Sequence, residues 1–150
     1  MSQLSAGSEA YQAPSSFSCL TSKTGDDLQL KTSCEGHRLG VVSVDINKSA
    51  TLAVSSGLDS QVIFWDLDSG KQLKIYEGTP LDTWTVAFSP DSRYVATGSH
   101  TGCVNMIGVE SGKKDSSIDL DGKFTYCLAY VRPELPFVVY FDLHPLYLRG

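Results

Sequence analysis

The feature that most constrains this chain is a pattern that repeats after 42 residues with no insertion or deletion. Its first copy, residues 36–77, begins with Gly36-His37 and carries Trp65-Asp66 towards its end. Between these two pairs lie short apolar runs, some with the two-residue alternation of β-strands, separated by turn-forming Gly, Ser and Asp. The unit therefore predicts four strands joined by three short connections.

The second copy covers residues 78–119 and keeps the strand and turn positions of the first. The identical residues are Gly36, Leu39, Val44, Val62, Ser69, Gly70 and Lys71, which return as Gly78, Leu81, Val86, Val104, Ser111, Gly112 and Lys113. A third copy occupies residues 120–130 and then breaks off. Repeats of about 40 residues with Gly-His and Trp-Asp pairs are typical of β-propeller blades. The sequence predicts an all-β fold: a partial WD40 β-propeller of about two and a half four-stranded antiparallel blades that does not close.

The segments on either side of the repeats predict three regions. Residues 1–27 are rich in serine and have little periodicity, so we expect a disordered tail. Residues 28–130 form the repeat region, in which 28–35 would be the last strand of a preceding blade. Residues 131–150 depart from the repeat and predict an aberrant C-terminal tail. Within that tail, residues 136–141 could form one β-segment, although nearby prolines disfavour regular pairing.

Charge and cysteine content exclude several functions. The net charge is -5 at pH 7, and direct binding to nucleic acid is not expected because it needs a basic surface. The longest apolar segment, residues 135–148, contains two prolines and an aspartate, so no membrane span is expected. None of the four cysteines forms a Cys-x-x-Cys pair, and we expect no metal or other cofactor. Reduced thiols are typical of the nucleus and cytoplasm.

Four polar or amphipathic residues of the first repeat predict a buried hydrogen-bond network, called the His37 network below. They are His37, Ser55, Asp59 and Trp65. The indole would donate to the serine, the serine to the imidazole and the imidazole to the aspartate. A Ser-His-Asp set also allows a hydrolase interpretation. Because the chain has no Gly-x-Ser-x-Gly elbow, the structural interpretation is favoured, and we expect no catalytic residue and no small-molecule substrate.

The second repeat lacks this network. Its counterparts of His37, Ser55, Asp59 and Trp65 are Thr79, Thr97, Thr101 and Ile107. Only hydroxyl groups remain at the polar positions, so the second blade is expected to hold by packing alone. The Trp-Asp motif, Trp65 and Asp66 in the first repeat, is likewise absent from the second.

Residues 35–45, 81–92 and 104–113 resemble the WD-repeat subunits of the superkiller complex, and the missing Trp-Asp pair of the last segment is itself typical of that family. The resemblance covers roughly residues 28–130. It implies a non-catalytic propeller scaffold that serves the exosome-linked 3′–5′ decay of messenger RNA. In animals, it also implies membership of the Paf complex, which acts in RNA polymerase II elongation and histone modification. The partners implied are protein subunits of these complexes, in the nucleus and cytoplasm.

Two other interpretations stay open at this point. The chain lacks most of one blade and everything after the start of the third repeat, so it could be a truncated product without independent function: a fragment, a splice form or a faulty gene model. The propeller hydrolase is the less favoured alternative. In either case the open ends would expose apolar surface and unpaired strand edges, which favour association.

Overall fold

The computed structural model describes residues 15–22, 28–77, 83–121, 125, 127–130, 137–141 and 144–148. Within these ranges the chain forms β-strands and has no helix that could cross a membrane. The strands are β1 (Ser16–Ser22), β2 (Leu28–Glu35), β3 (Val41–Ile46), β4 (Leu52–Gly57), β5 (Gln61–Asp66), β6 (Gln72–Glu77), β7 (Thr85–Phe88), β8 (Tyr94–Gly98), β9 (Cys103–Gly108), β10 (Lys114–Asp119), β11 (Cys127–Ala129), β12 (Phe137–Phe141) and β13 (His144–Leu148).

The two full repeats form two four-stranded antiparallel sheets. The first blade has the strand order β3-β4-β5-β6, and the second blade has the order β7-β8-β9-β10. Consecutive strands are neighbours because only short turns connect them, as expected of hairpins. The prediction of an all-β fold with four-stranded antiparallel blades in an open arrangement is confirmed.

The two blades stack face to face through an apolar core. Its buried members come from both sheets: Val54, Val62, Phe64, Val86, Phe88, Val95 and Ile107. Polar side chains of the inner strand β3 also reach the backbone of β7. Ser43 Oγ accepts a hydrogen bond from the Val86 N–H at 3.2 Å, and Asp45 Oδ2 accepts one from the Phe88 N–H at 2.7 Å. The inner strands are therefore held in register by hydrogen bonds as well as by packing.

The opposite face of the first blade is covered in part by a two-stranded sheet, β1-β2. Phe17 of β1 makes an edge-to-face contact with Trp65, with ring centroids 5.8 Å apart, and Cys34 of β2 is fully buried beside them. The prediction of a disordered tail over residues 1–27 is therefore wrong for Ser16–Ser22. The serine-rich composition concealed apolar residues that alternate along this strand and bury against a tryptophan far along the chain.

The third repeat forms a three-stranded sheet in the order β11-β12-β13. The C-terminal tail, from which at most one β-segment was expected, thus contributes two strands, Phe137–Phe141 and His144–Leu148. Pro145 is compatible with this sheet because β13 pairs only with β12 among the described strands, and an edge strand tolerates a missing N–H. Leu128 of β11 packs against the second blade, so the order of the three sheets follows the order of the repeats.

Candidate functional site: a buried network at one rim of the first blade

The His37 network lies at the rim of the first blade where β3 begins and β4 ends. His37 lies in the loop between β2 and β3, Ser55 in β4, Asp59 in the turn between β4 and β5, and Trp65 in β5. Antiparallel pairing places β4 between β3 and β5, so side chains from three separate segments meet at this rim. The structure brings all four sequence-predicted residues together.

The four side chains form one continuous hydrogen-bonded chain. Trp65 Nε1 lies 2.8 Å from Ser55 Oγ, Ser55 Oγ lies 2.7 Å from His37 Nε2, and His37 Nδ1 lies 3.0 and 3.1 Å from the two oxygens of Asp59. Because an indole N–H can only donate, the serine accepts from it and gives its own proton to Nε2. The imidazole then carries its proton on Nδ1 and donates it to the aspartate, an assignment that follows from the hydrogen-bond geometry.

Asp59 also anchors the backbone on both sides of the network. Its carboxylate accepts hydrogen bonds from the N–H groups of Arg38, at 2.7 Å, and Gln61, at 3.2 Å. Burial raises the pKa of Asp59, but these two backbone hydrogen bonds and the contact with His37 outweigh it, and the net pKa is lowered. The carboxylate therefore ties the loop before β3 to the start of β5.

These distances would also suit a Ser-His-Asp triad, but the environment of the serine does not suit catalysis. Ser55 has no exposed surface. Its oxygen accepts from Trp65, and its proton is directed to His37. A nucleophile must reach the substrate carbonyl and must sit beside donors for the developing oxyanion. Since Ser55 is enclosed on all sides, the arrangement can stabilise the rim but cannot present a nucleophile.

Gly57 is required by the network, and sequence reasoning missed it. A Cβ atom at this position would lie 2.4 Å from His37 Nδ1 and 2.7 Å from Asp59 Oδ1, well inside van der Waals contact. The equivalent residue of the second blade, 42 positions later, is Ser99, and the position of His37 is taken there by Thr79. The sequence does carry a signal for this requirement: the repeat that has the network has glycine at this position, and the repeat that lacks the network has serine.

The second blade replaces the network with packing and a different set of hydroxyl contacts. Thr97 and Ile107 are buried, and Thr79 lies outside the described residues. Ser99 Oγ accepts a hydrogen bond from the Cys103 N–H at 2.9 Å and contacts Thr101 Oγ1 at 2.9 Å. The expectation that this blade holds by packing alone is therefore wrong for the turn between β8 and β9, which Ser99 closes with its side chain.

Asp66, the second half of the Trp-Asp pair, acts at the opposite end of β5. Its Oδ1 accepts hydrogen bonds from the backbone N–H of Asp68, at 3.1 Å, and from the N–H and hydroxyl of Ser69, both at 2.7 Å. These bonds, led by that of the Ser69 hydroxyl, lower the pKa of Asp66. The two residues of the motif thus have separate tasks: Trp65 completes the His37 network, and Asp66 closes the turn between β5 and β6.

Exposed apolar side chains lie at the same rim as the network. Leu39 and Leu58 are 54% and 49% exposed, and Trp84, directly before β7, is 41% exposed. Leu39 follows His37 in the loop before β3, and Leu58 lies in the turn between Ser55 and Asp59. The buried hydrogen bonds therefore fix the backbone that carries both leucines. No group of His, Cys, Asp or Glu side chains within the described ranges could hold a metal ion.

Comparison with known proteins places these repeats in a family. The family described as "WD domain, G-beta repeat" matches residues 28–66 and 70–107, which is half of the chain. The chain belongs to the WD-repeat family. It is 61% identical over 108 residues to the WD repeat-containing protein SL1-17 of Schistosoma mansoni, an alignment that covers 72% of this chain and 36% of that protein. It is 28% identical over 96 residues to the WD repeat-containing protein VIP3 of Arabidopsis thaliana, covering 63% of this chain and 30% of that protein.

Solved structures agree with the fold. The structure of U3-55K matches 70% of this chain and 34% of its own length with a TM-score of 0.63, and the RRP9 WD40 repeats match 70% and 33% with a TM-score of 0.65. Both are 18% identical in sequence, so the likeness concerns the fold alone. This WD-repeat chain spans about a third of the length of the relatives it matches.

Asp59→Ala tests the contribution of the network to stability. The substitution leaves the N–H groups of Arg38, Gln61 and His37 without their acceptor, and we expect a loss of about 1–3 kcal/mol in the free energy of unfolding. Thr101→Ala is the matched control because Thr101 is the exposed counterpart 42 residues later, and we expect a far smaller loss. Urea unfolding of both variants measures the difference. Equal losses at the two positions would contradict the structural role of Asp59.

Gly57→Ala tests the steric requirement beside His37. The added methyl group would enter the space of the His37 ring, and we expect a loss of about 1–3 kcal/mol in unfolding free energy, as for other substitutions that break a buried network. In a His37→Ala background the clash with the ring is gone and only the one with Asp59 Oδ1 remains, so the same substitution should cost less. A double-mutant cycle measures this coupling. Additive losses would show that the network does not dictate glycine at position 57.

The lowered pKa of Asp59 predicts how the network responds to acid. Its carboxylate stabilises the fold above its unfolded-state pKa, about 3.9, and this stabilisation is lost as the pH falls through the lower folded-state pKa. Asp59→Asn removes the titration. The difference in unfolding free energy between the parent chain and Asp59→Asn should be constant above about pH 5 and shrink below about pH 4. If this difference in unfolding free energy is the same above about pH 5 and below about pH 4, the ionised Asp59 carboxylate does not stabilise the fold in the way described.

Proposed function

We propose that this chain is a protein-interaction scaffold that docks partners on the rim of the His37 network. The observation that carries the proposal is the exposure of Leu39 and Leu58 on backbone that buried hydrogen bonds hold in place. Apolar side chains on a preorganised surface bind with a small entropic penalty. Exposed apolar groups of this kind, with a charged neighbour in Arg38, are typical of protein-binding surfaces rather than of a substrate pocket.

The scaffold is further proposed to serve the superkiller and Paf complexes, in the nucleus and cytoplasm. This finer assignment rests on the resemblance of residues 35–45, 81–92 and 104–113 to the WD-repeat subunits of the superkiller complex. The chain spans about a third of the length of its relatives. The partners of a complete propeller are therefore assigned to this chain only as part of the proposal. The acidic net charge of -5 is consistent with protein partners rather than nucleic acid.

Binding of the 150-residue chain to purified superkiller and Paf subunits tests the proposal. Leu39→Asp and Leu58→Asp place a charge on the rim, and we expect each to weaken binding about tenfold or more, as loss of an interface anchor does. Leu73→Asp is the matched control because Leu73 is a similarly exposed leucine on the outer strand β6, away from this rim. Affinity is measured by surface plasmon resonance, with circular dichroism to check the fold.

Two results would contradict the proposal at different levels. If the rim variants and Leu73→Asp bind equally well, the rim of the His37 network is not the docking surface. If the parent chain binds none of the superkiller or Paf subunits, the finer assignment is wrong, whatever the rim binds.

A further inference from the structure

The turn between β9 and β10 has the same backbone arrangement as the turn between β5 and β6. In the first blade the Gly70 N–H donates to Asp66 O at 2.8 Å, and in the second blade the Gly112 N–H donates to Gly108 O at 2.8 Å. Gly70 and Gly112 also share a positive φ, 69° and 64°. The two turns can therefore be compared atom by atom.

The carboxylate that closes the first turn has no equivalent in the second. Asp66 Oδ1 accepts hydrogen bonds from the N–H of Asp68 and from the N–H and hydroxyl of Ser69. The residue in place of Asp66, 42 positions later, is Gly108, which has no side chain to accept them. The second turn therefore keeps the donors of the first but lacks their acceptor.

These donors are the N–H of Glu110 and the N–H and hydroxyl of Ser111. In the part of the chain that the structure describes, neither N–H has a hydrogen-bond acceptor. The Ser111 hydroxyl reaches only Gly108 O, at the long distance of 3.4 Å. Successive backbone N–H groups in a turn form a concave site for an anion, so the turn is suited to receive a carboxylate from outside.

Positive charge lies beside the same turn. Arg93 replaces Thr51 of the first blade and lines one cleft together with Gly108. Its guanidinium forms no ion pair with a carboxylate of the described residues. The Lys74 ammonium donates to the carbonyl oxygen of Glu110 and adds a second positive charge. Between the two blades, an anionic side chain has thus been lost and a cationic one gained at one place.

The place of the carboxylate stays accessible when a blade packs beside it. Asp66 pairs with Leu52 of β4, which packs on the core between the two blades. Although the second blade covers this side of the first, Asp66 is only half-buried and Asp68 is exposed. The equivalent place at Gly108 is therefore open to a ligand whether or not a further blade packs on the second.

We propose that this turn binds a carboxylate of a partner protein in the position that Asp66 fills in the first blade. The N–H groups of Glu110 and Ser111 and the Arg93 guanidinium form charge-assisted hydrogen bonds to it. The carboxylates of Glu110 and Asp115 line the same cleft and favour a positive group beside the bound carboxylate. The ligand is therefore a segment in which Asp or Glu stands next to Lys or Arg, and its site lies at the rim opposite the His37 network.

Amide NMR of the 150-residue chain at constant ionic strength tests the proposal. Titration with the blocked peptide Gly-Asp-Lys-Gly should move the amide proton signals of Glu110 and Ser111 downfield to a plateau, because both N–H groups gain a charged acceptor. The signals of Asp68 and Ser69 are the internal control, since their N–H groups already donate to Asp66. No plateau at Glu110 and Ser111, or equal shifts at the two turns, would overturn the proposal.

Gly108→Asp supplies the carboxylate from within the chain. The backbone of Gly108 lies outside the left-handed region. The atom nearest to an added Cβ is the Ser111 hydroxyl oxygen, at 2.6 Å, which can rotate to the new carboxylate as the Ser69 hydroxyl does in the first blade. We expect peptide affinity to fall about tenfold or more, while the urea midpoint of unfolding rises. A Gly108→Asp variant that binds the peptide like the parent chain would overturn the proposal.

Arg93→Gln removes one exposed charge and should weaken peptide binding about two- to fivefold. A peptide with Asn in place of Asp should give no plateau. Acetate, which lacks a basic group, should bind about fivefold more weakly than the peptide or worse, and equal affinity would overturn the assignment to a partner segment. Leu39→Asp, at the other rim, should leave peptide binding unchanged. Failure of this site and failure of the docking rim are therefore distinguishable, and loss of peptide binding in Leu39→Asp would contradict the location at Gly108.

Discussion

The packing of one sheet face on the next is the interaction on which the rest of this structure depends. A strand such as β5 is buried on both sides, with Phe64 directed to the second blade and Trp65 directed to β1-β2. A single four-stranded sheet with two apolar faces would leave both in water, so each blade is stable only between neighbours. The burial of Trp65 on the far face is also what places its indole N–H within reach of Ser55.

The two blades solve the same problem of a buried rim in different ways. The first uses a polar network that satisfies the indole, the hydroxyl and the imidazole, and it needs glycine at position 57 to make room. The second has Ile107 in place of the tryptophan and closes its turn with Ser99. The Thr97 hydroxyl, which stands in place of Ser55, has no hydrogen-bond partner among the described residues. The network is therefore one solution for the fold, and it requires all its members together.

Periodicity was sufficient to predict the blades. The alternation along β3 and β7 can be recognised within each strand, and the 42-residue spacing can be recognised by comparing the two repeats. The contacts of the His37 network followed from donor and acceptor chemistry once the blade was assumed. The strand Ser16–Ser22 could not be predicted, since it exists through the contact of Phe17 with Trp65, a pairing between distant parts of the chain. The same holds for β12 and β13, whose register depends on β11 rather than on their own proline-containing sequence.

The repeat also separates two kinds of exposed apolar surface that look alike by exposure alone. Val44 and Ile46 have apolar counterparts in the next blade, Val86 and Phe88, which are buried. These two positions of the repeat are therefore apolar because neighbouring blades pack on them. Leu58 has a polar counterpart, His100, in the equivalent turn of the second blade, so blade packing does not require an apolar side chain there. An apolar residue at a turn position where the repeat does not require one, held in place by the carboxylate of Asp59, fits the docking role proposed for this rim. The packing of blades and the proposed docking rim therefore use different residues of this chain, and substitutions can separate the two.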